Sequence, residues 1–280
     1  MSAASNPTRP NIIIITPHDT GRHFGCYGVE SVGTPAIDAL AADGVRCTNL
    51  FATSTMCSPS RGSLLTGKYP ERNGLMGLAG PNYRYELTRP REHLSHLLRA
   101  QGYQTVLCGH QHEAADSATL GFDETIREKP EGAVGIAAEV AAFLAQRPRE
   151  EHRPFFLQIG FIETHTPYLK YGGTPDSSRG VWAPPYMGGG HDEAVLREHL
   201  AAFQGSIRQV DLAVAAILAA LRAGGLEDNT LVLFTVDHGP ELPRAKWTGF
   251  DAGAHVAGIL RWPGGGLVGG RTCELLLNNT

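Results

Sequence analysis

Apolar and polar positions along the chain fall into short continuous apolar runs separated by segments with helical spacing. Asn11–Thr16 reads Asn-Ile-Ile-Ile-Ile-Thr, apolar on both faces, which predicts a strand buried on both sides as in a parallel sheet. Further strands are predicted at 45–52, 103–108, 154–162, 230–236 and, last, 255–261, where Trp262-Pro263-Gly264 forms a stop. Helices are predicted from Thr34-Pro35 to about Ala42, over 93–100 and over 135–145. The longest runs from about Asp192 to Ala223. There Leu196, Leu200, Phe203, Ile207, Val210, Val214, Ile217 and Leu221 form one apolar stripe that ends at Gly224-Gly225. Tyr168–Gly190 is rich in Pro and Gly and reads as a surface loop. Strand and helix alternate, so the expected fold class is α/β, a mostly parallel central sheet with helices on both faces.

Four predicted strands run directly into His/Asp groups: His18-Asp19, His110/His112, His165 and Asp237-His238. In a doubly wound sheet such loops converge on one edge. A fifth segment, Cys57-Ser58-Pro59-Ser60-Arg61-Gly62-Ser63-Leu64-Leu65-Thr66-Gly67, predicts a helix that Ser58 caps, that Pro59 starts and that Gly67 ends. Cys57 is then expected just before a helix N-terminus, where backbone donors favour an anion, with Arg61 reaching back to the same spot.

Composition narrows the class. The 280 residues are 42% hydrophobic and 19% charged, ordinary for a globular protein. A net charge of -4 with no long basic run argues against a nucleic-acid partner. The five cysteines are odd in number and widely spaced, which suits reduced thiols rather than a disulfide framework or a Cys-x-x-Cys zinc site. Met1–Pro10 is polar, and no run approaches the roughly 20 apolar residues that span a bilayer, so no membrane partner and a cytoplasmic location are expected.

Asp19, Asp237 and His238, with His18, have the donor types for one divalent cation; Mn, Mg, Ca and Zn all suit them. Such a cation would polarise a tetrahedral anion. Arg61, His110, His112, His165 and Lys246 would supply positive charge or proton transfer.

The stretch Cys57–Gly67 resembles the signature of the type I sulfatases, members of the alkaline-phosphatase superfamily. The resemblance covers nearly the whole chain. His18-Asp19 is similar to the family's strand-end Asp pair, His110-Gln111-His112 to its Lys-x-His and His165 in Thr164-His165-Thr166-Pro167 to its Pro-His-x-Pro histidine. Asp237-His238-Gly239 resembles its late metal motif, Lys246 its substrate-binding Lys, and Ile259–Gly264 the strand and turn closing its core sheet.

The resemblance implies an alkaline-phosphatase-like fold and one metal ion, usually Ca, held by His18, Asp19, Asp237, His238 and residue 57. It implies that a formylglycine-generating enzyme oxidises Cys57 to an aldehyde, whose hydrate is held by the metal and Arg61. One hydroxyl then attacks sulfur, His165 and Lys246 assist the leaving group, and His112 deprotonates the second hydroxyl so that sulfate departs. His110 replaces the family Lys. His18 and His238 make the site richer in nitrogen, which favours Mn or Zn over Ca.

The stretch from Cys57 to Leu78 and that from Pro240 to Thr248 resemble heparan N-sulfatase, which makes a small-molecule or glycan sulfate, O- or N-linked, the expected substrate. A phosphonate or phosphodiester hydrolase on the same scaffold and an inactive glycan-binding relative are the alternatives. Residues 1–280 are expected to form one catalytic domain cut before the family's C-terminal subdomain, ending as a next helix begins.

Overall fold

A computed structural model describes residues 9–127, 132–147, 153–187 and 193–280. In chain order the elements are β1 (Asn11–Thr16), α1 (Pro35–Asp43), β2 (Val45–Phe51), α2 (Cys57–Thr66), α3 (Pro70–Asn73), α4 (Leu94–Ala100), β3 (Gln104–Gly109) and β4 (Glu124–Ile126). There follow α5 (Ala133–Ala145), β5 (Phe155–Gly160), α6 (Glu193–Ala223), β6 (Thr230–Thr235), α7 (Asp251–Ala254), β7 (His255–Arg261), β8 (Arg271–Cys273) and β9 (Leu277–Asn278).

The strands form one sheet in the order β4-β3-β5-β1-β6-β7-β2-β8, with β9 also paired to β2. β1 lies at its centre, parallel to β5 and β6, with Ile13 opposite both Leu157 and Val232. Only β7 opposes its neighbours, running antiparallel to β6 and β2.

The isoleucine run explains the central position of β1. Successive side chains of a strand point to opposite faces, and both faces of β1 are covered. Ile13 and Ile15 join Val106, Leu157, Phe234 and residues of α1, α5 and α6 in the larger core. Ile12 and Ile14 face the other way, onto Leu64 and Leu65 of α2 and Leu94 and Leu98 of α4. The α6 stripe is buried from Leu200 to Leu221, each such side chain contributing about 1.5–3 kcal/mol relative to exposure. No helix among the described residues is long and apolar enough to cross a membrane.

Several expectations from sequence are corrected. The strand at His255–Arg261 is not the last, and it does not close the sheet. It lies between β6 and β2, and β8 forms the edge beyond. The segment after Trp262 carries short polar strands held by backbone pairing, Val45 to Arg271 and Phe51 to Asn278, so it leaves no hydrophobic period to read. Leu277–Asn278 is therefore strand, not the start of a helix. The α2 helix begins at Cys57 itself, with Met56 at the N-cap. Ser58 does not cap it; its hydroxyl accepts from the Ala79 N–H. Gly67 ends the helix as expected, in the left-handed conformation. Asp192 and Gly188–Gly190 lie outside the described residues.

Candidate active site

The carboxyl ends of β1, β3, β5 and β6 all open on one edge, and β2 delivers α2 to the same edge. The turns there are built for tight crossing. Asp19 has a left-handed φ of 49°, which Asp tolerates better than most residues. At the end of β5 a Cβ on Gly160 would lie 1.8 Å from the His110 carbonyl oxygen, so only glycine lets the chain leaving β3 cross it. The loops after β1 and β5 are laced together. The His18 N–H donates to the Glu163 carbonyl, the Thr164 N–H donates back to the His18 carbonyl, and the Thr164 hydroxyl donates to the carbonyls of His18 and Asp19.

His18, Asp19, Cys57, Asp237 and His238 bring one ligand atom each within 4.8 Å of one another, and all five are buried. Cys57 Sγ stands 3.2 Å from His238 Nε2 and 3.9 Å from both His18 Nδ1 and Asp19 Oδ1. Asp237 Oδ1 accepts from the Asp19 N–H at 2.9 Å and from the His238 N–H at 2.8 Å. The five residues named from sequence as ligands are thus gathered at one point.

Two cations face them. Arg61 is fully buried; its Nε donates to Asp237 Oδ2 at 3.0 Å and its Nη2 reaches the Thr16 and Pro17 carbonyls. Lys246 Nζ lies 2.6 Å from Asp19 Oδ2 and 3.8 Å from Glu241 Oε2. Burial alone would raise the Asp19 carboxyl, but His18, His238 and Lys246 outweigh it and hold it well below the ordinary carboxylate range. For Asp237 burial is likewise outweighed, by His18, His238 and Arg61. Burial, followed by these two carboxylates, pushes the Cys57 thiol well above its ordinary value, so it stays protonated.

These residues fit a divalent cation. His238 Nδ1 lies 2.8 Å from the Gly239 carbonyl, an acceptor, so Nδ1 carries a proton and the lone pair of an unprotonated Nε2 points into the cluster. That lone pair faces Asp19 Oδ1 at 3.1 Å. Two acceptors at that distance repel unless a cation or a shared proton lies between them. The fixed charges of Asp19, Asp237, Arg61 and Lys246 sum to zero, so a divalent ion would leave the site net positive, as an anionic substrate requires.

The remaining residues line the approach. His165 Nδ1 donates to the Thr166 carbonyl at 2.7 Å, leaving Nε2 for proton transfer, and its side chain is 36% exposed where Cys57 is 2% exposed. The rings of His110 and His165 lie 5.2 Å from that of His18, and that of His112 lies 6.2 Å away. Burial pushes His112 down to about 4.

Sequence reasoning missed three residues here. Glu241 accepts from the Thr166 hydroxyl at 2.6 Å and stands near His165 and Lys246. Glu113 is fully buried and accepts from the His112 N–H and from Gln158. Asn279 donates to the carbonyl and hydroxyl oxygens of Ser60 and accepts from the Thr53 N–H, bracing the start of α2. Glu113 adjoins a motif and was open to notice; Asn279 carried no signal.

The fold and this edge define a class: an α/β protein with a buried cluster of candidate cation ligands at the carboxyl ends of its parallel strands. Residues 10–269 match the family model described as Sulfatase, and the chain belongs to that family. It is 28% identical to human arylsulfatase A over 91% of this chain and 59% of that protein. Its identity to human N-sulphoglucosamine sulphohydrolase is also 28%, over 91% of this chain and 53% of that protein. The chain therefore spans between half and three fifths of the length of these relatives. A protein solved in complex with its substrate D-glucosamine-2-N,6-O-disulfate superposes with a TM-score of 0.79 at 19% identity, over 97% of this chain and 74% of that one. The fold is thus the alkaline-phosphatase-like α/β fold of the sulfatases.

Proposed function

We propose that this chain is the catalytic part of a metal-dependent hydrolase of sulfate esters or N-sulfates, acting on a sulfated sugar through a formylglycine made from Cys57. The observation that carries the reading is the place of Cys57. It sits at the first turn of α2, at the centre of the buried cluster, as a thiol that burial and the two carboxylates keep protonated. A position so central and so inert as a thiol is explained when the side chain works in an oxidised form.

His18, Asp19, Asp237, His238 and residue 57 would hold the cation, either Ca or, given the two imidazoles, Mn or Zn. When bound it supplies polarisation of the sulfate oxygens and neutralisation of developing charge. Arg61 fixes Asp237 and adds positive charge beside residue 57. Lys246 and His165 stand on the approach side, where Nε2 of His165 delivers a proton to the leaving oxygen or nitrogen. His112, neutral under ordinary conditions, accepts a proton. His110 presents a neutral ring where the family has a Lys.

The test is the mass of the tryptic peptide Cys47–Arg61 together with turnover of matched aryl sulfate and aryl phosphonate esters. The reading expects an aldehyde at position 57 and sulfate turnover that Cys57→Ala abolishes. An unmodified thiol in protein from the native host, or a preference for the phosphonate, overturns it.

A further inference from the structure

The loop after β3 contains chemistry that the carboxylate-rich cluster does not use. His18, His110 and His112 bring one ring nitrogen each within 4.8 Å of one another, a second grouping of possible ligands that shares His18 with the first. The ring centroids stand 5.2, 5.4 and 6.2 Å apart, and the rings are tilted rather than stacked. With metal–nitrogen bonds of about 2.0–2.1 Å, three imidazoles on a tetrahedral ion have donors about 3.4 Å apart. Small side-chain rotations would therefore close the grouping.

Two of the nitrogens lack the partners that burial demands. His110 Nε2 and His112 Nδ1 are shielded from solvent and have no hydrogen-bond partner. Unpaired Nδ1 of His112 is free to ligate. The loop is also fixed in advance. Gln111 Oε1 accepts from the Glu113 and Ala114 N–H groups, and buried Glu113 accepts from the His112 N–H at 2.8 Å and from Gln158 Nε2 at 3.2 Å. Asp237 and Glu113 are the nearby anions, and Arg61 is the nearby cation.

We propose that His18, His110 and His112 form a second cation site, selective for a borderline transition ion such as Zn2+ or Co2+ and adjoining the carboxylate-rich site. Three nitrogen donors without a carboxylate disfavour Ca2+, which takes six to eight oxygens. The second site thus disfavours Ca2+, an ion that the carboxylates of the first can take. Filling both at once would require His18 to present a different ring nitrogen to each ion, with its ring N–H proton lost to solvent. The inference rests on ring geometry and unpaired nitrogens, and it holds whether or not the chain hydrolyses sulfate.

The experiment uses the demetallated full chain in a Cys57→Ala background, which removes the competing thiol. Ca2+ is held in excess to occupy the oxygen-rich site, and Co2+ is titrated. The expected result is one equivalent of Co2+ bound with the strong visible absorption of a four-coordinate nitrogen-ligated ion. His110→Ala should weaken it at least about tenfold and remove the band, while the Ca2+ isotherm and circular dichroism stay as before. Should His110→Ala fail to fold, His112→Gln is the second variant, with the same expectation. Absence of the Co2+ equivalent, or its persistence undiminished in a folded variant, overturns the proposal.

Discussion

Lys246 shows how far one side chain sets the state of this site. Its ammonium meets Asp19 at 2.6 Å with almost no solvent contact, and burial, which would lower its pKa, is outweighed by Asp19 so that it is raised. Removing one partner of a buried pair leaves the other charge uncompensated, typically at about 3–5 kcal/mol. Lys246→Met should therefore melt well below the parent in the presence of chelator. A divalent ion beside Asp19 takes over the compensation, so saturating Ca2+ or Mn2+ should recover much of that loss. Melting curves with and without the ion check it. Equal destabilisation in both conditions would show that Lys246 does not balance a carboxylate that an ion also neutralises. Asp19 and Asp237 were legible as candidate ligands because each follows an apolar run. The Lys246–Asp19 pair was not, since it joins residues 227 positions apart that only the sheet order brings together.

At the scale of elements, the same logic operates between helices. Asp211 of α6 accepts from the Ala36 and Ile37 N–H groups, closing the N-terminus of α1 in place of Thr34, which makes no side-chain cap. Burial raises its carboxyl to about 6, in spite of those two donors. In the unfolded chain an Asp titrates near 3.9. Between the two values the folded chain holds the extra proton, so this group's contribution falls as pH rises from about 4 to 6 and stays at the lower level above. Asp211→Asn keeps the acceptor and removes the titration. Its melting temperature relative to the parent should climb between pH 4 and pH 7, and a difference that does not change with pH would refute the assignment. The α6 stripe and the β1 run were readable because each repeats with the period of its element. The cap was not, because a single Asp on a long helix carries no mark of the helix it will meet. β8, β9 and Asn279 were unreadable for a related reason, as backbone pairing and one amide, not side-chain burial, hold them in place.

Across the whole molecule, the site is a knot tied by the sheet. The candidate ligands come from the ends of β1 and β6, which are hydrogen-bonded neighbours, and from α2, which follows β2 two strands further along. No local segment holds more than two of the five, so the unfolded chain has no preformed site, and a cation that binds there binds the folded state alone. Stabilisation then follows mass action, about 2.7 kcal/mol when the ion is a hundredfold above its dissociation constant. For a chain of this size that corresponds to an increase of about 5–10 °C in melting temperature. The gain should need both carboxylates: Asp19→Asn with Asp237→Asn removes the charge the ion neutralises, and the double variant should melt at the same temperature with and without it. The apolar faces of β1 do not touch the ion, so Ile13→Val, which costs about 0.5–1.5 kcal/mol at a fully buried position, should lower both melting temperatures and leave their difference unchanged. A cation-dependent shift that survives in the double variant would place the ion elsewhere. A shift that shrinks in Ile13→Val would mean that core packing and the cluster are coupled and that the sheet is not the rigid frame assumed for the site.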